Sequence, residues 1–387
     1  FDATGEDRFL EAGRRHTVDR MAPHVTHFGV HDHGFNNIST YGNLWRLMNE
    51  GRIPEDPWER RFYEMALKAS GAVQARRWTA LPSGGFIYSF NGPHSLFVDT
   101  IRSLRSLAVA HRLGHALMDE NDRSISLLER LVQHVRTTAQ YGVWYGEGRD
   151  TYDIRGRVVH ECIFNTNDGA FRCPNTQQGF SPFTTWTRGL AWIMAGSAEQ
   201  LEFIASLDDA ELDSVGGRGQ VEGVLLKMAR ATCDFYIEHS AADGIPYWDT
   251  GAPNLWKLGE DVLGRPADPY NDAEPVDSSA AAIAAQGLIR LGGFLDGEEG
   301  KPYRQAGLTV LRTLLDEPYL GLDGAHQGLI LHSIYHRPNG WDHVPPGQSV
   351  PCGESSMWGD YHAREAALLV QRMAEDGPAH RFFNTEA

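Results

Sequence analysis

Apolar residues recur at helical spacing along most of the chain. In 98–118, for example, Ile101, Leu104 and Leu107 fall on one face of a helix. Strand signals are few, and only 84–90 and 156–164 are expected to form small hairpins within long loops. The pattern predicts helices at 7–22, 37–50, 58–78, 98–118, 122–141, 185–206, 218–239, 277–293, 300–315, 323–335 and 354–374.

Short and long loops alternate between these eleven or twelve helices, which indicates helical hairpins repeated about six times. We expect an all-α fold, a closed ring of inner and outer helices whose long loops gather at one mouth. The run Ala280–Ala285 predicts one helix that packs closely against its neighbours. An open solenoid is the alternative, but no repeat of fixed period favours it. No linker divides the chain, so residues 1–387 are expected to form a single domain.

Composition excludes several classes of partner. The chain is 41% apolar and 22% charged, ordinary values for a globular protein. Its formal charge of -16 argues against nucleic acid, because phosphate binding needs a basic face. A small anionic substrate is still compatible with this charge, since one desolvated Arg can dominate locally. No run of about 18 uncharged apolar residues is present, so no membrane span is expected.

Cysteine usage and the first residue leave the location open. The four cysteines lack CxxC spacing and are expected to be buried free thiols, with a Cys162–Cys173 bridge as the alternative. The chain starts at Phe1 rather than Met, which we take as a sign that a preceding segment was removed. A signal peptide could have been part of it. A cytoplasmic and a periplasmic location therefore both stay possible.

A long polar loop, NTNDGAFRCPNTQQGFSPFTTWTRGLAW, runs directly into an apolar helix. Its end carries Thr184, Trp186, Arg188 and Trp192. A guanidinium between two indoles suits a sugar carboxylate, because Arg can donate two parallel hydrogen bonds while the indole faces cover the apolar side of the ring. The pattern therefore predicts an acidic carbohydrate as ligand. Similar loop-to-helix junctions carry Trp248, Trp341 and Trp358, and several tryptophans at one mouth favour sugar stacking.

Two aspartates are candidates for acid–base chemistry. Asp32, in HFGVHDHGFNN, and Asp99, in NGPHSLFVDTIRSL, each precede a predicted helix. Burial beside apolar side chains raises a carboxyl pKa, and a second carboxylate nearby raises one member of the pair further. Such a carboxyl can donate a proton near neutral pH. The competing interpretation is that both are helix N-caps, as Asp277 in VDSSAAA is expected to be.

Four histidines lie within residues 24–33. No HExxH motif accompanies them, and histidines of one loop rarely converge on an ion, so neither a metal nor another cofactor is expected. His31 is instead expected to hydrogen-bond the substrate or Asp99. His160, in the short strand GRVVH, is a candidate for the same kind of hydrogen bond, and the alternative for this residue is a purely structural role.

Five motifs, in order along residues 28–369, resemble the unsaturated glucuronyl hydrolases, glycoside hydrolase family 88. They are HDHGF, FVDTIRSL, QQGFSPFTTWTRGLAW, DSSAAAIAAQGL and WGDYHAREAALL, of which TWTRGLAW and WGDYH are the most specific. The resemblance implies an (α/α)6 barrel, in agreement with the predicted hairpins. It also implies a substrate, the 4,5-unsaturated uronic acid that polysaccharide lyases leave at the non-reducing end of an oligosaccharide.

The resemblance also implies roles for individual residues. The family's general acid/base falls on Asp99 and its partner aspartate on Asp32. Asp99 would protonate C4 of the C4=C5 enol ether, and water deprotonated by the same carboxylate would then add to C5. The hemiketal opens and releases the next sugar, with no covalent glycosyl-enzyme intermediate. Substrate-binding positions fall on His31, His160, Gln178, Thr184, Arg188 and Trp192.

The chain departs from the family pattern at two motifs. VDTIRSLRSL places Arg102 and Arg105 where members have a Met/Asn-rich stretch, and HDHGFNN lacks the apolar residues that follow HDxGF. Three alternatives stay open: a family 105-like unsaturated rhamnogalacturonyl hydrolase, a sugar epimerase that uses His31 and His160, and a sugar-binding protein without activity. The sequence leaves the neighbouring sugar, its sulfation and the oligomeric state undetermined.

Overall fold

The computed structural model describes residues 1–295, 297–322, 324 and 326–384. A π-helical segment, Ile38–Gly42, joins the second and third α-helices. The α-helices of the described residues are α1 (Asp7–Val25), α2 (His33–Asn36), α3 (Asn43–Asn49), α4 (Pro57–Arg76), α5 (Thr100–Ser103), α6 (Arg105–Arg112), α7 (Leu127–Tyr141), α8 (Thr187–Ala205), α9 (Asp209–Asp213), α10 (Arg218–His239), α11 (Ser278–Phe294), α12 (Gly297–Leu314) and α13 (Met357–Ala374).

Burial divides the long helices into two layers. Almost every residue of α8 and α11 is buried, whereas α1 and α12 expose most of their surface. Helix α11 packs against α8 on one side and α13 on the other, with α12 outside it. An amphipathic helix suits the outer layer and an apolar one the inner layer, so the difference in sequence character places each helix.

The small residues of α11 allow the close packing that the run Ala280–Ala285 predicts. A β-carbon added to Gly287 would lie 2.7 Å from the backbone nitrogen of Ala195 in α8. On the outer side, a β-carbon added to Gly307 of α12 would lie 3.0 Å from the carbonyl oxygen of Ala285. Both neighbouring helices therefore approach the α11 backbone directly, and the predicted packing is confirmed.

The first and last inner segments meet. Asn43 at the start of α3 donates a hydrogen bond from Nδ2 to the Tyr361 hydroxyl of α13, at 3.3 Å. Immediately after α3, Glu50 pairs with Arg372 near the end of α13 at 2.7 Å. These contacts bring the two ends of the inner layer together, so the helices form a ring rather than an open solenoid.

Short strands lie in the long loops, as the pattern predicts. Residues 84–90 contribute one arm of the β1–β2 hairpin, and 156–164 contribute β6, the central strand of a three-stranded sheet with β3 and β7. Strand Ser95–Phe97 ends two residues before Asp99, so this sheet positions a candidate catalytic aspartate. The strands are β1 (Trp78–Leu81), β2 (Gly84–Ile87), β3 (Ser95–Phe97), β4 (Leu117–Met118), β5 (Ser124–Ile125), β6 (Glu161–Phe164) and β7 (Phe171–Asn175).

The predicted helix at 323–335 is wrong. Residues 323 and 325 lie outside the described residues, and 326–335 form an irregular loop whose Ile330 bridges to Leu320. The apolar pattern here reflects burial, since Ile330 and Ile334 are both almost fully buried. Other boundaries need smaller changes: the helix predicted at 98–118 breaks at Leu104 and ends at Arg112, and the one predicted at 122–141 begins at Leu127. The short α9 was not predicted.

All four cysteines are free, which excludes the Cys162–Cys173 bridge in this structure. Cys162, Cys233 and Cys352 are buried as expected, whereas Cys173 is exposed on β7. In the part of the chain that the structure describes, no helix combines the length and the apolar character needed to cross a membrane.

Candidate active site

A cavity of about 530 Å³ opens at the end of the ring where the inner helices α8, α11 and α13 begin. Helix N-termini carry partial positive charge, so this end of the ring favours an anionic ligand. Predicted site residues that line the cavity are His31, Asp32, Asp99, Gln178, Trp186, Arg188, Trp192 and Trp358. The structure thus brings together residues from four separate sequence motifs.

His31 lies between the two candidate aspartates. Its Nε2 atom is 3.1 Å from Oδ1 of Asp99 and 3.5 Å from Oδ1 of Asp32. The imidazole is fully buried, stacked on Phe90 and edge-on to Phe97, while Asp99 is slightly exposed and Asp32 about one-third exposed. One imidazole nitrogen therefore hydrogen-bonds Asp99 and lies within ion-pair distance of Asp32 at the cavity wall.

This arrangement separates the pKa values of the two aspartates. Burial raises the pKa of Asp32, and the charge of Asp99 adds to this, although His31 opposes it. Burial alone would also raise the pKa of Asp99, but the charge and hydrogen bond of His31 hold it below its usual value. Burial alone would lower the pKa of His31, but the charges of Asp32 and Asp99 raise it. The carboxyl with the raised pKa is therefore Asp32, whereas the resemblance assigns the general acid to Asp99.

Side-chain capping hydrogen bonds distinguish Asp277 from Asp32 and Asp99. Asp32 and Asp99 each occupy the N-cap position of a short helix, yet neither side chain makes a capping hydrogen bond. Asp277 does cap its helix, accepting hydrogen bonds from the NH groups of Ser279 and Ala280. The predicted cap is thus confirmed for Asp277, and the carboxylates of Asp32 and Asp99 are left to face the cavity.

Arg188 has few donors left for a ligand. Its Nη1 donates to Oδ2 of Asp277 at 2.7 Å and to the carbonyl oxygen of Ile334. Its Nη2 donates to Oε1 of Gln178 at 2.9 Å and to the carbonyl oxygen of Tyr335 at 2.7 Å. All four terminal N–H donors are therefore used inside the protein, which a sequence pattern could not indicate. The guanidinium contributes positive charge and holds three segments together, and a two-bond grip on a carboxylate would require Gln178 to move.

Of the two indoles expected to flank Arg188, Trp186 does so, whereas Trp358 takes the place of Trp192. The guanidinium carbon lies 4.6 Å from the Trp186 ring and 5.2 Å from the Trp358 ring. Trp192 instead packs edge-on against Phe35 and His362 on another part of the cavity wall. Trp192 shares the face of α8 that carries Arg188 but lies one turn further from the start of the helix, whereas Trp186 immediately precedes that helix.

His160 lies behind the cavity wall. It is buried between Phe97 and Trp186, with ring centroids 4.5 and 4.6 Å away. Its Nδ1 accepts hydrogen bonds from the backbone NH groups of Gln177 and Gln178, so the hydrogen of the neutral ring is on Nε2, which has no hydrogen-bond partner among the described residues. Burial lowers the pKa of His160 to about 4. This neutral side chain therefore fixes the Gln178 loop by accepting two hydrogen bonds through Nδ1.

Thr184 does not line the cavity either. Its hydroxyl contacts the Asp249 carboxylate, which also accepts the NH groups of Phe180 and Gly251. Burial raises the pKa of Asp249 to about 6. Thr184 and Asp249 therefore fix the 177–184 loop from behind and contribute to the site by positioning Gln178.

Several cavity residues were not predicted individually. Tyr361 and His362 belong to the WGDYH motif and Phe35 to HDHGF, so these motifs already contained the signal. Phe90 comes from a loop without a motif, whereas Tyr335 lies six residues before Trp341 in a loop that the sequence indicates only through that tryptophan. Among the described residues, no group of three His, Cys, Asp or Glu side chains has the geometry to hold a metal ion.

Comparison with known proteins places this geometry in context. No family model matches the chain. It is 26% identical over 349 residues to an unsaturated glucuronyl hydrolase of Formosa agariphila, covering 89% of the chain and 70% of that relative. It is 28% identical over 217 residues to one of a Bacillus species, covering 55% of the chain and 46% of that relative. The chain thus spans between about half and two-thirds of the lengths of these relatives.

The solved structures agree. The crystal structure of the unsaturated glucuronyl hydrolase from the Bacillus species superimposes with a TM-score of 0.69 at 22% identity, covering 96% of the chain and 83% of that structure. The resemblance to the unsaturated glucuronyl hydrolases is confirmed. The predicted all-α (α/α)6 barrel is confirmed as well. A second solved structure, of a hydrolase with the oligosaccharide dGlcA-Glc-Rha-Glc, superimposes with a TM-score of 0.70 at 22% identity. The match covers 96% of the chain and 83% of that structure.

Proposed function

We propose that this chain is a glycoside hydrolase that removes the 4,5-unsaturated uronic acid from the non-reducing end of oligosaccharides made by polysaccharide lyases. The observation that carries the proposal is the cluster of His31, Asp99 and Asp32 on the wall of a cavity that Arg188 also lines; His31 hydrogen-bonds Asp99 and lies within ion-pair distance of Asp32. The relatives named as unsaturated glucuronyl hydrolases support the same chemistry, and the dGlcA-containing oligosaccharide of one neighbour supports the same substrate.

An anionic sugar suits the electrostatics of this cavity. The guanidinium of Arg188 and the N-termini of α8 and α13 supply positive potential, although the Arg188 donors are engaged. The side-chain amide of Gln178 is held by Arg188 and faces the cavity, where it can hydrogen-bond a carboxylate. Trp186, Trp192 and Trp358 offer flat apolar surfaces for the ring.

The first step is protonation of C4. In the free protein the proton of the His31–Asp99 pair resides mainly on His31, because the pKa of His31 is raised and that of Asp99 is lowered. A bound sugar that excludes water from the pair raises the pKa of Asp99 and lowers that of His31, so the proton can move from Nε2 of His31 to Asp99. Asp99 then protonates C4 of the enol ether, which leaves an oxocarbenium-like cation centred on C5.

The second step is addition of water. The Asp99 carboxylate, now ionised, takes a proton from water as the oxygen bonds to C5, and this proton can return to His31. The C5 hemiketal then opens to a ketone at C5 and leaves a hemiacetal at C1. Cleavage of the bond between C1 and the glycosidic oxygen gives an aldehyde and releases the neighbouring sugar as an alcohol. The reaction consumes one water and leaves both carboxylates as they began. General acid–base assistance of this kind typically contributes roughly 10²–10⁴-fold.

Asp32 is the second carboxyl of the reaction. Its raised pKa makes it the carboxyl more able to hold a proton, and a protonated carboxyl can donate a hydrogen bond to a substrate hydroxyl. When Asp32 is ionised, its charge instead supports the imidazolium of His31. In both states Asp32 affects how the shared proton is distributed between His31 and Asp99. This role does not require Asp32 to contact C4.

The proposal is tested by incubating the protein with unsaturated disaccharides made by lyases from chondroitin, heparin, gellan, ulvan and rhamnogalacturonan. Turnover is expected to remove the ultraviolet absorbance of the conjugated double bond and, in heavy water, to place one deuterium at C4 of the product. Turnover restricted to the rhamnogalacturonan product would identify the family 105-like specificity. Absorbance that stays constant for every member of the panel would refute the proposed reaction.

A further inference from the structure

Three aromatic rings lead from the cavity to the protein surface. Trp358 and Tyr335 line the cavity, and their ring centroids are 5.4 Å apart. Tyr335 then contacts Trp341, with centroids 5.5 Å apart and ring planes inclined by 36°. Tyr335 is 48% exposed and Trp341 is 62% exposed, so the outer two rings present a continuous apolar surface to solvent beside the cavity. We call Tyr335 and Trp341 the aromatic rim.

The rim is held in place by the protein. The carboxylate of Asp342 accepts the backbone NH of Tyr335 at 2.5 Å and that of His336 at 3.1 Å. The Trp341 ring also packs on His336, with centroids 4.8 Å apart. On the cavity side, Arg188 donates to the carbonyl oxygen of Tyr335. The two exposed rings are therefore fixed by buried and half-buried groups, which favours a binding surface over two side chains that merely face water.

We propose that the aromatic rim binds the sugar next to the unsaturated uronic acid, by stacking under the C–H face of its pyranose ring. The inference rests on the proposed function, because it takes the uronic acid to occupy the cavity. On this inference the scissile bond lies where the cavity meets the rim, and the next sugar extends over the rim. Tyr335 belongs to both the cavity wall and the rim, so the two surfaces are continuous.

Exposure alone does not make such a surface. Trp58 is 76% exposed, more than Trp341, but it lies at the start of the outer helix α4 and packs beside Arg61. It does not line the cavity or contact a ring that does. Trp58 is therefore a matched control, because removing it deletes the same exposed indole without affecting the cavity.

The test compares two substrates that differ only outside the cavity. One is an unsaturated disaccharide, and the other is the methyl glycoside of the same unsaturated uronic acid. Trp341→Ala is expected to raise KM for the disaccharide roughly 2- to 10-fold relative to KM for the methyl glycoside, the range expected from loss of one aromatic stacking contact. Trp341→Phe should recover part of this ratio, and Trp58→Ala should leave it unchanged.

The outcomes separate this inference from the proposed function. If Trp341→Ala leaves the ratio of the two KM values unchanged, the rim does not bind the second sugar, although the hydrolase activity stands. If the wild-type protein turns over neither substrate, the proposed function has failed, and calorimetric binding of the disaccharide to wild type and Trp341→Ala decides the inference separately. Equal affinity of the two proteins would then overturn it.

Discussion

Gly34 and Ser103 are in direct backbone contact, so that a β-carbon added to Gly34 would lie 2.1 Å from the Ser103 carbonyl oxygen. The backbone NH of Gly34 donates to the Ser103 hydroxyl at 2.9 Å, and the same hydroxyl donates to the carbonyl oxygen of His31 at 2.6 Å. Through this contact the HDHGF segment, which carries Asp32, lies against the helix that follows Asp99. The glycine of the motif therefore sets the distance between the two candidate aspartates.

Substitution Gly34→Ala is accordingly expected to reduce activity and stability together. The methyl group cannot be accommodated without separating the two segments, and overpacking of this kind typically costs about 1–3 kcal/mol. Stability is measured by urea unfolding and activity by loss of the double-bond absorbance. The matched control is Gly223→Ala on α10, where an added β-carbon meets nothing within 4 Å. This control should gain about 0.5–1 kcal/mol from helix propensity. An active, fully stable Gly34→Ala protein would show that the contact is not required.

Much of the fold follows from features that a single sequence contains. Apolar periodicity predicts the inner and outer helices, because a helix such as α11 must bury all its faces whereas α12 buries only one. The motifs also bring His31, Asp32 and Asp99 to one cavity, since each lies next to a helix start. The helix at 323–335 could not be predicted correctly, because a buried loop and a buried helix can share the same apolar pattern.

The finer chemistry of the site depends on tertiary contacts between distant residues. The sequence indicates Arg188 as a carboxylate clamp, but it gives no sign that the Ile334 and Tyr335 carbonyls occupy its donors. Likewise, apolar neighbours on the chain predict a raised pKa for a buried aspartate. The proximity of His31 lowers the pKa of Asp99 and leaves the raised value to Asp32. Neither result follows from local sequence.

Asp99→Asn is expected to lower turnover by roughly 10²–10⁴-fold or more, because the amide can neither protonate C4 nor deprotonate water. Asp32→Asn should lower turnover less, since Asp32 acts through the proton shared by His31 and Asp99. Circular dichroism and unfolding curves of both variants should resemble those of the wild type. If Asp32→Asn were inactive and Asp99→Asn retained most activity, the two carboxylates would have the opposite roles, as their pKa order alone would suggest.

The raised pKa of His31 predicts a pH dependence of stability. A group whose pKa is higher in the folded state stabilises the fold fully below its unfolded pKa, about 6.5 for His, and this contribution is lost as pH rises through the folded value. His31→Gln should therefore cost more stability at pH values just below 6.5 than in alkaline solution. Unfolding free energies of the variant and wild type across this range provide the measurement. A difference that grew with rising pH would contradict the raised pKa.

Arg188→Ala separates a positioning role from a direct substrate clamp. The guanidinium and Asp277 form a buried pair at 2.7 Å, so removing one partner leaves a buried charge and should cost about 3–5 kcal/mol of stability. Arg230→Ala, which breaks the exposed pair with Glu299, should cost only about 0–1 kcal/mol. Because Arg188 also holds Gln178 and the Tyr335 carbonyl, both KM and kcat should worsen. A variant of unchanged stability whose only defect is a higher KM would instead mean that the guanidinium is available to grip the substrate carboxylate, as its sequence context suggests.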